Sequence, residues 1–337
     1  MILIISNKSD IHCNPVIECL RSRGEDFFRL NTEDIFTRYR IEYVFTDQLD
    51  GPALTLRSLD TGKVFYLNEL KSVWERRPFT PKYSNPDDVF ASAIDEEYDE
   101  LTRWIRGLCF DKRYVGHHYL DRAYENKLKQ LSVAYQLIKV SRLSGSIKIP
   151  MSIVTNDISN LFKFIEDSKS LNFAIKPISA DSVQLDETYE MPFMSVKVAK
   201  ADIKNYTQEH LDTAPVFVQP YIEKVCELRV TVVGTTVLAC LIDSQILPTG
   251  KGREDWRQGY NNMVQRWINT PPSIEKFCIE YLESTGLSFG CFDFIHATDG
   301  FYYFLECNPN GQWMWLEDEA SIPISNAIAD YLAFNNA

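Results

Sequence analysis

The stretch Phe301-Tyr302-Tyr303-Phe304-Leu305-Glu306-Cys307-Asn308-Pro309-Asn310-Gly311 decides how this chain is read. Its first five residues are apolar, as a buried strand requires, and Asn-Pro-Asn-Gly is a good turn by itself. Side chains on a strand alternate between faces, so Glu306 and Asn308 project together while Cys307 points the other way. A second apolar run, Leu287 to Ile295, lies just upstream, and Thr298-Asp299-Gly300 reads as the hairpin turn between the two. Pairing the runs brings Asp293 beside Glu306 and Asn308. Three hard oxygen ligands then converge, with open positions for water and phosphate, a donor set suited to Mg²⁺. A carboxylate near a strand end is more often simply solvated, so the rest of the chain has to carry the reading.

A chain of 337 residues exceeds the usual single-domain size and predicts two or three subdomains. A net charge of −12 argues against nucleic acid or anionic membrane as a general partner, because no basic surplus is present to neutralise phosphates. Any anionic ligand must be held by a few placed cations. Met1-Ile2-Leu3-Ile4-Ile5 lacks a basic flank and is too short for a signal peptide, so it reads as a first buried strand. No apolar run approaches a membrane span. The eight cysteines are scattered without a C-x-x-C pair, which speaks against a zinc site or disulfide framework and fits a cytoplasmic protein. The adjacent His117-His118 lacks helical ligand spacing and reads as structural.

The alternation of strands and helices to about residue 115 predicts a small α/β domain, with a helix from Pro15 to Arg23 stopped by Gly24 and an acidic helix from Asp87 to about Cys109. Asn126 to Leu143 carries a helical apolar period, with Gly145 as its stop. Ile149 to Asn156 reads as a strand leading into an Asp157-capped helix, and Phe173 to Pro177 as a buried strand ending at Lys176. Glu187 to Ala199 reads as a hairpin arm. Strands at Val216–Ile222, Glu227–Gly234 and Val237–Asp243 then precede a helix from Pro272 to Ser284.

A desolvated ammonium at the end of an apolar strand needs an anionic partner, and a structural ion pair serves Lys176 as well as a ligand does. The order of the pieces is more distinctive than any one of them. Asn126-Lys127, Lys176-Pro177, Val218-Gln219-Pro220-Tyr221-Ile222, Glu227-Leu228-Arg229, Asp293 and Glu306-x-Asn308 follow one another in a series that resembles the ATP-grasp ligases, particularly their RimK-type branch, over roughly residues 120–315. The resemblance implies an ATP-grasp fold of α/β class with α+β subdomains. An N-terminal α/β domain at 1–115 would precede a central subdomain with its lid at 116–215 and a C-terminal subdomain with the metal site at 216–337. It implies ATP and Mg²⁺ as cofactors. Lys127 and Lys176 would hold the phosphates, Gln219 to Ile222 (Gln219, Pro220, Tyr221 and Ile222) would form the adenine-reading hinge, and Glu227 would take the ribose. Asp293, Glu306 and Asn308 would bind magnesium. Arg229 and Arg257 would point at the transferring phosphoryl group, a planar fork suited to phosphate oxygens. The segment Ile178-Ser179-Ala180-Asp181-Ser182, where the family usually carries a glycine-rich phosphate loop, departs from the pattern.

The outer motifs narrow the resemblance. Phe28-Arg29-Leu30-Asn31, Trp74-Glu75-Arg76-Arg77-Pro78, Ile149-Pro150-x-Ser152-x-Val154-Thr155-Asn156, Ile242-Asp243-Ser244-Gln245 and Asp255-Trp256-Arg257 look like the graspetide synthetases, the ATP-grasp maturases related to those of microviridins. The likeness implies a macrocyclase. A core Asp or Glu of a ribosomal precursor peptide becomes an acyl phosphate, and a Ser or Thr hydroxyl or a Lys amine of the same peptide displaces phosphate. It also implies a homodimer and a bound leader peptide, for which the arm bearing Asp186, Glu187 and Glu190 is the candidate; a solvated nucleotide lid is an equal reading of that arm. A RimK-like ligase adding amino acids to a carboxylate, and a non-catalytic nucleotide-binding scaffold, are the alternatives.

Overall fold

The computed structural model describes residues 1–46, 53–107, 112–178, 182–184, 190–192, 195–259 and 263–334. Its start follows from the sequence. Ile2–Ser6 is fully buried and forms the heart of a four-stranded parallel sheet, flanked by Phe27–Asn31 on one side and by Ser72–Glu75 and then Arg113–Val115 on the other. Parallel strands covered on both faces read as continuous apolar runs. Ile2 and Ile4 accordingly enter one core and Leu3 and Ile5 another. The helix Cys13–Ser22 lies over the first of these faces, burying Cys13, Val16, Ile17 and Leu20 at helical spacing. Gly24, at φ 70, lets the chain reverse behind it. The C-terminal helix Ile324–Ala333 joins the same core, so the two ends of the chain pack together.

The helix expected from Asp87 begins later, as Ala91–Gly107. Asp88 is held in a turn by its side chain, which accepts from the Phe90 N–H at 2.9 Å, and its carbonyl accepts from Ala91. Strands Tyr39–Val44, Ala53–Ser58 and Val64–Tyr66 form a separate antiparallel sheet.

The helix Lys127–Val140 starts where the sequence places it, with the Asn126 side chain accepting from the N–H groups of Leu128 and Lys129. Its end differs from expectation. The chain turns at Arg142, which takes the left-handed conformation at φ 57, before Gly145 is reached. The strand expected at 149–156 is shorter, Ile153–Thr155, and a separate strand precedes the expected range. Ile147–Lys148 adds an edge to a six-stranded sheet, while Ile153–Thr155 joins a four-stranded one, and Pro150 lies between the two. The arm expected at 187–199 is divided. Glu190–Pro192 pairs with Ser182–Gln184, whereas Val196–Ala199 pairs with Asn172–Lys176.

The four-stranded antiparallel sheet runs in the order Val196–Ala199, Asn172–Lys176, Val216–Pro220, Ile153–Thr155, and the Asp157-capped helix Ile158–Asp167 packs on it. The six-stranded sheet runs Val264–Ile268, Thr236–Asp243, Lys224–Val233, Phe289–Ala297, Tyr302–Asn308, Ile147–Lys148. Helices Lys127–Val140 and Pro272–Thr285 cover its apolar face through a cluster that includes Phe277, Tyr281, Phe292, Phe294 and Phe304. Among the described residues no helix is long and apolar enough to cross a membrane.

Gly116 makes the tightest backbone approach in the N-terminal part. Its φ is +69, and a Cβ built there would lie 2.0 Å from the Glu75 carbonyl oxygen. Backbone cannot yield as a side chain does, so Gly116→Ala should lower the unfolding free energy by about 3 kcal/mol, from overpacking and left-handed strain together. A urea denaturation midpoint equal to that of the unsubstituted protein would refute this.

Candidate active site

The four-stranded and six-stranded sheets face each other across a cleft of about 980 Å³, and the end of the N-terminal sheet closes one side of it. The predicted hairpin forms one wall. Strands Phe289–Ala297 and Tyr302–Asn308 are antiparallel, with Asp293 directly opposite Glu306 and Cys291 opposite Asn308; the register is irregular just after Asp293. Directly paired residues share a face, so the two carboxylates are neighbours, and Asn308 follows on the same side. Cys307 points the other way, into the aromatic core.

Two carboxylates side by side repel, and cations gather around them. Lys127 Nζ sits 3.8 Å from Glu306 Oε2 and donates to the Pro177 carbonyl at 3.3 Å, which ties the start of its helix to the end of the Lys176 strand. Desolvation works to raise the Glu306 pKa, but Lys127, Arg257, Lys176 and Arg229 outweigh it, and the group is held below the ordinary carboxylate value. Asp293 goes the other way. Burial and the like charge of Glu306 raise it against the opposing pull of Arg229. Lys176 lies at the edge of its strand, where desolvation, with Lys127 and Arg257 as like charges, brings its pKa down to about 8 against the attraction of Glu306.

The other expected residues are placed as follows. Arg229 donates from Nη1 to Asp293 Oδ2 at 2.8 Å and from Nη2 to the Gln312 carbonyl at 3.3 Å; its side chain is 8% exposed and stands behind Asp293. Arg257 lines the cleft, and its guanidinium grips Asp255 through two bonds of 2.9 Å. Glu227 lies in the cleft wall with both carboxylate oxygens engaged, one by Lys224 at 2.5 Å and the other by the Ser244 hydroxyl at 2.7 Å. Gln219 is anchored by a 2.8 Å bond to Ser152, and Pro220, Tyr221 and Ile222 continue along the same wall, with Lys197 over the Tyr221 ring at 4.1 Å. Glu190 lies on a short paired strand, while Asp186 and Glu187, and residues 179–181 of the glycine-free segment, fall outside the described residues.

The donor set Asp293, Glu306 and Asn308 fits a hard divalent cation by chemistry and placement. Among the described residues no group of three or more His, Cys, Asp or Glu could hold a metal unaided. Two carboxylates and an amide ringed by cations suit an ion that brings further anionic ligands of its own, as a metal–polyphosphate does.

Sequence reasoning missed the far wall of the cleft. His118, read as structural, lies there with its Nδ1 2.5 Å from Arg106 Nη2, and Arg106 also pairs with Glu75. Burial together with Arg106 and Arg122 brings the His118 pKa down to about 4, so the imidazole is neutral. Asp121 is raised well above the carboxylate range by burial and by the like charge of Glu75. The signal available was Trp74-Glu75-Arg76-Arg77-Pro78, whose charged residues end a buried strand.

No family model and no curated protein matches the chain. Solved structures match over its whole length. An ATP-grasp ligase of Chryseobacterium gregarium associated with a ribosomally synthesised, post-translationally modified peptide, in complex with ADP and a leader and core peptide, is 26% identical; the match covers 98% of this chain and 96% of that one at a TM-score of 0.82. The macrocyclase MdnC of Microcystis aeruginosa, bound with precursor peptide MdnA, is 28% identical over 98% and 99% of the two chains at a TM-score of 0.77. The macrocyclase MdnB of the same organism shares the fold at 24% identity over 99% of both chains, with a TM-score of 0.73. The resemblance read from the motifs thus extends from one end of the chain to the other: the chain is an ATP-grasp ligase, similar throughout to ligases of the graspetide type.

Proposed function

We propose that the chain is an ATP-dependent peptide macrocyclase that joins Asp or Glu side chains of a ribosomal precursor peptide to Ser or Thr hydroxyls, as esters, or to Lys amines, as amides. The observation that carries this reading is the convergence of Lys127, Lys176 and Arg257 on the paired Asp293 and Glu306, within a chain alike over its full length to peptide-bound ligases. The division at residues 115 and 215, a homodimeric state, a cytoplasmic location and a leader-binding role for Asp186, Glu187 and Glu190 belong to the same proposal.

Phosphoryl transfer from ATP to a carboxylate needs the γ-phosphate charge neutralised and the acceptor held in line. Lys127 and Lys176 hold the phosphates, and Gln219 to Ile222 hold the base. Glu227, fixed by Lys224 and Ser244, is set to accept from the ribose by a residual lone pair. Asp293, Glu306 and Asn308 would hold magnesium, which would supply neutralisation of the phosphate charge. Arg229 orients Asp293. Arg257 leaves part of its hold on Asp255 to meet charge developing on the transferred phosphoryl group. The incoming hydroxyl or amine then displaces phosphate from the acyl phosphate. No enzyme nucleophile is required.

The direct test is peptide-dependent ADP release together with mass spectrometry of the peptide. Loss of one water per ring supports the macrocyclase; a mass gain that requires an added amino acid would support the RimK-like alternative, and no ADP release would leave a scaffold. Within that assay, Glu306→Ala should lower turnover on the order of a thousandfold with its melting temperature retained. Near-normal cyclisation would remove the hairpin from the site. Arg257→Lys keeps the charge but loses the planar fork, so turnover should fall while ATP affinity stays level; equal turnover in Arg257→Lys and Arg257→Ala would exclude it from the chemistry.

Lys176 gives a pH test. With its pKa near 8 in the free protein it is charged at pH 7 and largely neutral at pH 9, and a bound polyphosphate holds it charged. Binding above pH 8 therefore takes up a proton, and ATP affinity should fall about tenfold from pH 7 to pH 9. Lys176→Met should abolish that dependence in calorimetry. A pH-independent affinity in the unsubstituted protein would show that the amine does not touch phosphate.

A further inference from the structure

Trp74-Glu75-Arg76-Arg77-Pro78 leaves the parallel sheet beside the turn that follows Asn308, and its two arginines part company there. Arg76 turns inward. It is 2% exposed, pairs with Asp10 at 3.1 Å, and donates to Asn310 Oδ1 at 3.1 Å and to the Gly311 carbonyl at 3.2 Å. Arg77 turns outward into the cleft, where the one hydrogen bond of its side chain among the described residues is to the Asn310 carbonyl at 3.3 Å.

The backbone that presents Arg77 is clamped by side chains. Ser6 Oγ donates to the Arg76 carbonyl at 2.8 Å, Asn7 Nδ2 to the Arg77 carbonyl at 2.6 Å, and Thr32 Oγ1 to the Phe79 carbonyl at 2.7 Å. Arg77 is also one of three non-glycine residues with positive φ among those described, at φ 44. A left-handed arginine is a strained choice where glycine would serve, and such positions persist where the side chain is needed. A guanidinium on a fixed root loses little freedom on binding an anion.

The charges of the wall leave Arg77 unbalanced. Arg106 is taken by Glu75, His118 is neutral, and burial raises the pKa of Asp121. Among the described residues neither Arg77 nor Arg122, which lines the same wall, makes an ion pair. Two unpaired arginines in the cleft of a chain with net charge −12 call for an anionic ligand. The cations that act on Glu306 are Lys127, Arg257, Lys176 and Arg229 and not these two, so the ligand of Arg77 is taken to be other than the nucleotide.

We propose that Arg77, with Arg122 on the same wall, forms a subsite for a second carboxylate of the peptide, distinct from the one being activated. The inference rests on the reading of the chain as a peptide carboxylate ligase. The planar fork of Arg77 suits a carboxylate, supplied by an acidic side chain or by the peptide C-terminus. By gripping that group the enzyme sets which acidic residue stands at Glu306 and Asn308.

The test is fluorescence anisotropy on the full chain saturated with Mg-ADP, using a fluorescein-labelled peptide of alternating Thr and Glu, its Gln counterpart, and the Glu peptide with an amidated C-terminus. The unsubstituted protein should prefer the Glu peptide over the Gln peptide by about tenfold or more. Arg77→Gly keeps the left-handed backbone without strain; it should bring that preference within about twofold while Mg-ADP affinity and melting temperature stay level. Arg77→Lys should retain part of it. Affinity weakened by amidation but unchanged in the Gln peptide assigns the carboxylate to the C-terminus. Unchanged discrimination in Arg77→Gly, or an affinity of the unsubstituted protein that neither the Gln replacement nor amidation weakens, overturns the subsite. Failure to bind Mg-ADP at all overturns the ligase reading instead, so the two are separable.

Discussion

Asp293 and Glu306 stand opposite each other in an antiparallel pair, and the active cleft is arranged around the repulsion between them. Like charges in direct register destabilise a sheet. Here each finds a separate compensation. Asp293 leans on Arg229 beneath it, at 2.8 Å, while Glu306 draws on Lys127 at 3.8 Å and on the fields of Arg257 and Lys176. These cations arrive from four elements: the next strand of the same sheet, the start of a helix, a short helical turn, and the facing sheet. A pair of carboxylates thereby holds four elements at one point.

The turn that follows Asn308 is fixed from behind. Arg76 ties Asn310 and Gly311 to the N-terminal sheet through a buried guanidinium that also pairs with Asp10. Gly311 approaches so closely that a Cβ would lie 2.6 Å from the Cys291 Cβ and 2.9 Å from Arg229 Nη2. The N-terminal sheet is thus part of the cleft wall. The strand that carries Arg76 packs on the C-terminal helix, with Ser72 donating to the Leu332 carbonyl at 2.8 Å, so both chain ends support the turn.

Much of this was legible because it is local. Alternation placed Glu306 and Asn308 on one face, the caps Asn126 and Asp157 marked two helix starts, and the apolar run at Ile2–Ile5 marked a covered strand. The misreadings are equally physical. The strand read at 149–156 starts only at Ile153, beyond Pro150, and Arg142 takes a left-handed turn that a reader assigns to Gly145. The partners of His118, read as structural, are Arg106 and Glu75, from elements 12 and 43 residues away and so beyond any spacing rule.

What the sequence by itself determined is the set of chemistry-bearing residues and their order along the chain, since side-chain period and capping depend only on neighbours. The tertiary structure alone decided which groups are engaged. It set Arg229 behind Asp293, closed Arg257 on Asp255, sealed Glu227 between Lys224 and Ser244, and left Arg77 open to the cleft. The reason is that charge and desolvation act through space. A carboxylate or an arginine is the same letter wherever it falls, and only the folded chain fixes what lies within reach of it.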